Sequence, residues 1–188
     1  ASIAVGRYLG LSLAQLKKGI SSYKGSKRRS EFIGRLSSGA LVFDDYAHNP
    51  SKISATLKAF RSAYPNKRIV CIFQPHTYSR TKSLFEQFVN SFDDAGTVII
   101  TNIYASLREK KDPTVSSERL AHAIRRSPRR SPFGHLRGVA NVVFLPKLTD
   151  VVKYIVKKKY GEDTLVITMG AGDVYKISSK LKVKSSKL

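Results

Sequence analysis

Six short apolar runs recur along the chain: EFIGRL (31–36), ALVFDD (40–45), RIVCIF (68–73), TVIITN (97–102), NVVFLP (141–146) and TLVITM (164–169). Most are apolar at nearly every position rather than at alternate ones, as expected of strands covered on both faces. Between them the apolar residues shift to helical spacing. Ile53, Leu57 and Phe60 share one face of 51–64, and Leu84, Phe88 and Phe92 share one face of 78–92. Stretches 115–126, 148–159 and 174–181 read as further helices. SSG (37–39) joins the first two strands as a hairpin. The expected fold is α/β: a mostly parallel sheet of about six strands with helices on both faces.

The flanks differ from this pattern. Residues 1–23 read as two helical pieces, with Leu13, Leu16 and Ile20 on one face and Ser12 as a cap. KGSKRRS (24–30) has the composition of a linker, and a domain boundary is expected there. KVKSSKL (182–188) is polar and basic and is expected to fray. RRSPRRSPFGHLRG (125–138) carries two prolines and five arginines. It reads as a solvated surface excursion, with a grip on phosphates as the alternative.

Hydrophobic residues make up 41% of the 188, which supports a packed core and argues against disorder. The net charge of +21 admits nucleic acid, anionic lipid or phosphorylated small molecules as partners. Yet the basic residues are scattered, and no aromatic stripe is interleaved with them as single-strand binding would need. A solvated lysine-rich surface is the better reading, and a basic nucleic-acid-binding module is the runner-up. No apolar run approaches the roughly 20 residues of a membrane span, and no membrane partner is expected. The single cysteine, Cys71, lies inside RIVCIF and reads as a buried structural thiol in a reduced, cytoplasmic setting. The chain opens on Ala1 and its only methionine is Met169, so a fragment or processed product is expected.

Ligands of open α/β sheets bind beyond the carboxyl ends of the strands. Three polar turns follow strands here: DDYAHNP (44–50), QPHTYSRT (74–81) and GAGD (170–173). In the first, Asp45 suits a ribose hydroxyl or the surroundings of a metal, and Tyr46 a ring. His48 suits a phosphate, a carboxylate or a metal-bound group. Asn49-Pro50 is the start of the next helix. In the second, the planar fork of Arg80 suits a carboxylate or phosphate, beside His76. Thr77 or Ser79 would cap that helix, whose N-terminus itself attracts anions. In the third, two glycines permit close backbone approach, and Asp173 reads as the cap of the final helix. The chain contains no G-x-x-x-x-G-K-[ST] phosphate loop, no zinc spacing and no G-x-S-x-G elbow.

DDYAHNP, FQPHTYSRT (73–81), TNIYASLREKKDPTVSS (101–117) and ITMGAGDVYKI (167–177) together resemble the C-terminal domain of the Mur-type amide ligases. The likeness is to the branch that joins L-alanine to UDP-N-acetylmuramate, with a ligase attaching a tripeptide to the same sugar acid as the rival. It implies a Rossmann-like C-terminal domain over 31–188, a hinge at 24–30 and, in 1–23, the last helices of a central ATP-binding domain. It also implies ATP and Mg²⁺, the metal being held mainly by that central domain, and the enzyme's own N-terminal and central domains as partners. The site here would contain no metal ligand. Arg29, Asp45, Tyr46 and Asn49 would meet ATP or its phosphates, and His48, His76 and Arg80 the substrates. Without the phosphate loop, the chain alone would be inactive. Three positions depart from the pattern: Asn49 where a second histidine is frequent, Thr77 where an arginine is common, and Ser30 for an aromatic.

Overall fold

The structure, a computed structural model, describes residues 1–23, 25–106, 109–127, 141–181 and 183. Of the expected excursion over 125–138, Arg125 and Arg126 end a helix and residues 128–138 lie outside the described residues, as do most of 182–188 and Lys24. The elements run α1 (Ser2–Tyr8), α2 (Leu13–Ser22), β1 (Glu31–Arg35), β2 (Leu41–Asp45), α3 (Pro50–Ala63), β3 (Arg68–Phe73), α4 (Tyr78–Ser83) and α5 (Phe85–Val89). There follow β4 (Thr97–Ile100), α6 (Ser117–Arg126), β5 (Asn141–Phe144), α7 (Leu148–Lys158), β6 (Thr164–Met169), a 3₁₀ turn (Asp173–Tyr175) and α8 (Lys176–Lys180).

The six strands form one sheet in the order β1-β2-β6-β3-β4-β5. All neighbours are parallel except β1 and β2, which make the expected hairpin. The last strand therefore lies in the middle. Leu41 to Asp45 pair with Leu165 to Met169 on one side, and Arg68 to Phe73 pair with Thr164 to Met169 on the other.

Alternation along each strand divides the core between two faces. Leu41 and Phe43, Ile69, Cys71 and Phe73, and Leu165 and Ile167 pack with Ile53, Leu57 and Phe60 of α3, Phe88 of α5 and Leu120 and Ile124 of α6. Val42, Val70, Ile72, Ile99 and Val166 meet Val151 and Ile155 of α7 and Ile177 of α8. Both faces are covered, which is why these strands are apolar throughout. The Cys71 thiol is fully buried and touches the Met169 sulfur at 3.7 Å; burial pushes its pKa up, as expected of a structural thiol.

Several helix ends follow the sequence signals. Ser12 and Gln15 form a reciprocal capping box at α2. Asn49 caps α3 with Pro50 in its first turn, and Thr77 caps α4. Two expectations need correction. The helix expected over 78–92 breaks at Leu84 into α4 and α5. The break lets sequence neighbours Leu84 and Phe85 both pack on the core while Phe88 and Phe92 reach Phe73, with ring centroids at 5.6 and 5.4 Å. Nor does Asp173 cap the last helix: Gly172 precedes the 3₁₀ turn, and the Asp173 carboxylate pairs with Lys176 at 2.9 Å.

The α1–α2 pair is built differently. Gly6 sits against Leu16, while Ile3, Leu13 and Ile20 remain more than half exposed. Among the described residues no helix is long and apolar enough to cross a membrane.

Candidate functional site

Because β2, β6 and β3 are adjacent and parallel, their three polar turns emerge side by side at one edge of the sheet. The GAGD turn lies in the middle. DDYAHNP is on its β2 side and QPHTYSRT on its β3 side.

The segment before β1 is fastened to this edge by Arg28 rather than by its neighbour Arg29. Arg28 adopts φ 58°. Its Nε donates to Asp44 Oδ2 at 2.9 Å, its guanidinium donates to the Gly170 carbonyl at 2.6 Å, and it lies over the rings of Tyr46 and Tyr175 at 4.9 and 4.7 Å. Asp44 is buried and also accepts from Thr168 Oγ1 at 2.6 Å. Burial pushes the Asp44 carboxyl above the usual range, and the contacts from Thr168 and Arg28 only partly pull it back. Backbone bonds complete the seam: Tyr46 N–H donates to the Arg28 carbonyl at 2.7 Å, and Ser30 N–H donates to Asp45 Oδ2 at 2.7 Å.

Asp45 is thus largely committed within the domain. Its other oxygen accepts from Ala47 N–H at 2.7 Å. Arg29 is exposed, and its side chain has no hydrogen-bond or ion-pair partner among the described residues. Arg28, Arg29, Asp45, Tyr46, Lys52 and Thr56 line a hollow of about 240 Å³. Arg28 is already paired with Asp44 and Asp45 adds a carboxylate, so the available positive charge is that of Arg29 and Lys52; with the exposed Tyr46 ring they make the hollow chemically suited to an anionic group carrying a flat ring. Asn49, expected with the nucleotide group, uses its side-chain oxygen to cap α3, accepting from Lys52 N–H and Ser51 Oγ at 3.0 Å each.

The second half of the site is a pair of imidazoles. His48 Nδ1 lies 2.9 Å from the Tyr46 carbonyl, which can only accept, so Nδ1 carries a proton and Nε2 is the acceptor whenever the ring is neutral. Across the edge, Arg80 places a guanidinium nitrogen 3.1 Å from His76 Nδ1. Arginine can only donate, so His76 Nδ1 accepts and the proton sits on Nε2. Burial, then the charge of Arg80 and nearby His48, pull His76 below the usual imidazole range, which favours that neutral form. The two rings are 6.4 Å apart. The pair therefore offers Nε2 of the neutral His48 ring as an acceptor and His76 Nε2–H as a donor, the latter beside a guanidinium. Among the described residues no three His, Cys, Asp or Glu side chains cluster as a metal site.

The structure brings Tyr46, His48, His76 and Arg80 to one edge of the sheet, together with Arg28, Asp44, Tyr104 and Glu109, which the sequence pattern did not single out. Tyr104 stacks on His76 at 5.7 Å and 15°, and the Glu109 carboxylate accepts from Tyr78 and Ser79 N–H at 2.6 and 2.8 Å. Glu109 and Tyr104 both lie in the 101–117 segment, but neither had a partner that spacing alone could supply. The anion at the start of α4 is thus one of the chain's own. Gly172 explains why the central turn needs a glycine: a Cβ there would come within 2.6 Å of both Gln74 Oε1 and the Tyr104 ring. Gly172→Ala should lower stability by about 1–3 kcal/mol through overpacking. Thermal unfolding measures the loss, and an unchanged midpoint would show that Tyr104 yields freely.

Comparison with known proteins agrees with this architecture. Residues 28–172 match the family described as Mur ligase, glutamate ligase domain. The UDP-N-acetylmuramate–L-alanine ligase of Acetivibrio thermocellus is 46% identical over 94% of this chain and 34% of its own length. That of Caldanaerobacter subterraneus is 42% identical over 100% of this chain and 37% of its own length. The chain thus spans about a third of the length of these curated relatives. Among solved structures, the UDP-N-acetylmuramate–alanine ligase of Thermotoga maritima superposes with a TM-score of 0.72 over 95% of this chain and 34% of that one, at 24% identity. A murein peptide ligase from Psychrobacter arcticus gives 0.62 over the same shares, at 21%. These two establish a shared fold. The family match extends from Arg28 to Gly172 and takes in all of the three-turn edge but Asp173, and the chain belongs to the Mur ligases as their C-terminal domain.

Proposed function

We propose that the chain is the C-terminal domain of an ATP-dependent ligase that joins L-alanine to UDP-N-acetylmuramate through an acyl phosphate, in peptidoglycan precursor synthesis in the cytoplasm. The observation that carries this reading is the likeness to L-alanine ligases over nearly the whole chain at 42–46% identity. The site's donor and acceptor pattern supports it. An amino acid presents a carboxylate and an amine, and the edge offers Arg80 with His76 Nε2–H for the first and His48 Nε2 for the second.

On this reading Arg29 and Lys52 meet nucleotide phosphates in the hollow beside Tyr46, with Asp45 and Asn49 fixing the turn that shapes it. ATP and Mg²⁺ would supply phosphoryl transfer and charge neutralisation, the metal being held mainly by the upstream central domain. Residues 1–23 are read as the last helices of that central domain. Their exposed apolar side chains, Ile3, Leu13 and Ile20, fit a pair that packs against more protein than itself. Residues 24–30 are the hinge. Closure of the domains would exclude water and bring the His48–His76–Arg80 edge over the substrates.

The test is phosphate release by the full-length protein with ATP, Mg²⁺ and UDP-N-acetylmuramate. Release should depend on L-alanine and be weaker with glycine or L-serine. Release driven by tripeptide and not by L-alanine would replace the reading with the tripeptide-attaching ligase. Release with none of these would overturn both.

A further inference from the structure

Residues 102–106 and 109–112 strap the start of α4. Tyr104 N–H donates to the Pro75 carbonyl at 2.8 Å, and Thr77 N–H donates to the Tyr104 carbonyl at 2.9 Å, making a parallel bridge between Tyr104 and His76. The Tyr104 ring lies nearly parallel to the His76 ring. Further along, Glu109 takes the N–H groups of Tyr78 and Ser79, and Asp112 pairs with Lys82 at 2.9 Å. The strap thus holds α4 at its start, along one ring and at its far turn.

The residue being held is under strain. Thr77 has φ 68° and ψ 140°, a region where a β-branched side chain is costly, on the order of 1–3 kcal/mol. Its conformation turns the chain sharply between His76 and Arg80. That turn lets Arg80 fold back to meet both His76 Nδ1, at 3.1 Å, and the His76 carbonyl, at 3.3 Å. Within the helix, Thr77 is kept in place by Arg80 N–H to its hydroxyl and by Thr81 Oγ1 to its carbonyl at 2.7 Å. Both bonds run along α4 itself and do not fix it relative to the sheet. The strap supplies that second anchor.

We propose that Tyr104 and Glu109 are positioning residues that hold His76 and Arg80 together as one anion-binding fork, fixing the His76 tautomer and the reach of Arg80. Tyr104 closes one face of the imidazole, and Glu109 pins the backbone from which Arg80 springs. The assignment of that fork to the incoming amino acid rests on the proposed function; the positioning itself does not. The charged and titratable groups facing His76 are Arg80 from α4, His48 from the β2–α3 turn, and Tyr104 and Glu109 from the strap. Of these, Glu109 is the one that favours the imidazolium, against burial and the other two charges.

The decisive experiment reads the His76 ring nitrogens by NMR across pH, with the signal assigned from His76→Gln. In the parent chain Nδ1 should be the bare nitrogen and Nε2 the protonated one. Glu109→Gln should move the His76 titration lower still, with the fold intact by thermal unfolding. Tyr104→Ala should let the two tautomers mix, and Tyr104→Phe, which keeps the ring face, should restore the parent pattern. In the full-length protein, Glu109→Ala should raise the KM for the amino acid about tenfold, the size of a lost helix-start contact, and leave the KM for ATP unchanged. Parent-like titration, tautomer and KM in both Glu109→Ala and Tyr104→Ala would overturn the proposal. Absence of amino-acid-dependent turnover in the parent would count against the ligase reading alone, because the NMR arm needs no turnover.

Discussion

Arg80→Ala in the full-length protein should cut kcat/KM for the amino acid about 100-fold, with the thermal midpoint little changed. Arg80 is only partly buried and contributes nothing to the apolar core, so the fold does not depend on it. What is lost is chemical. A charge-assisted hydrogen bond is worth about 1.5–3 kcal/mol, and the guanidinium is placed to make one or two of them to a carboxylate. The mutation also frees His76 Nδ1, so the proton is no longer confined to Nε2 and the second donor is lost part of the time. Arg80→Lys keeps a positive charge without the planar fork, and should recover only part of the loss. The check is steady-state kinetics with the amino acid and ATP varied separately. An effect confined to ATP would move Arg80 to the nucleotide side, and no effect would remove it from the site.

Arg28→Met should destabilise the chain by about 3 kcal/mol at neutral pH, the low end for breaking a buried ion pair by removing one partner. The low end applies because the Arg28 side chain is 23% exposed while Asp44 is 2% exposed. Asp44→Asn should be far milder. Its folded pKa is already raised by burial, so the ion is a burden to the fold even when paired. The sign with pH follows from that direction. A carboxyl that binds its proton more tightly when folded loses stability as pH rises from the unfolded pKa through the folded one. Without Arg28 the folded pKa rises further, so the deficit of Arg28→Met should be largest at neutral pH and shrink as the pH is lowered into the acid range where Asp44 is protonated in the fold. Denaturant unfolding at neutral and acid pH measures it. A deficit independent of pH would mean that lost packing on Tyr46 and Tyr175, rather than the orphaned carboxylate, dominates.

The strands were readable because burial on both faces leaves little choice of residue: RIVCIF and TLVITM are strands from end to end. Their order was not readable. Nothing in TLVITM says that it pairs with both Val42 and Val70 rather than with a neighbour in sequence. The site divides along the same line. His48, His76 and Arg80 stood out because each ends a strand or opens a helix, and strand ends are where ligands go. Arg28 and Arg29 are adjacent and chemically identical, yet Arg28, with a positive φ, reaches Asp44 and Gly170 while Arg29 stays exposed. Glu109 caps a helix 30 residues upstream, a distance at which no local cap rule operates. The break at Leu84 was hidden because Leu84, Phe88 and Phe92 keep helical spacing across it.

The central place of β6 also sets the order in which the domain can be made. On a ribosome, β2 and β3 emerge long before β6, yet the sheet gives them no direct pairing with each other. Without β6 the strand order leaves only two unconnected groups, β1–β2 and β3–β4–β5, each with an unpaired edge where β6 belongs. Such non-local closure is slow, and the open edges are exposed to wrong partners while it waits. The same insertion that closes the sheet delivers the GAGD turn between the other two, so sheet closure and the meeting of the three turns are one structural step.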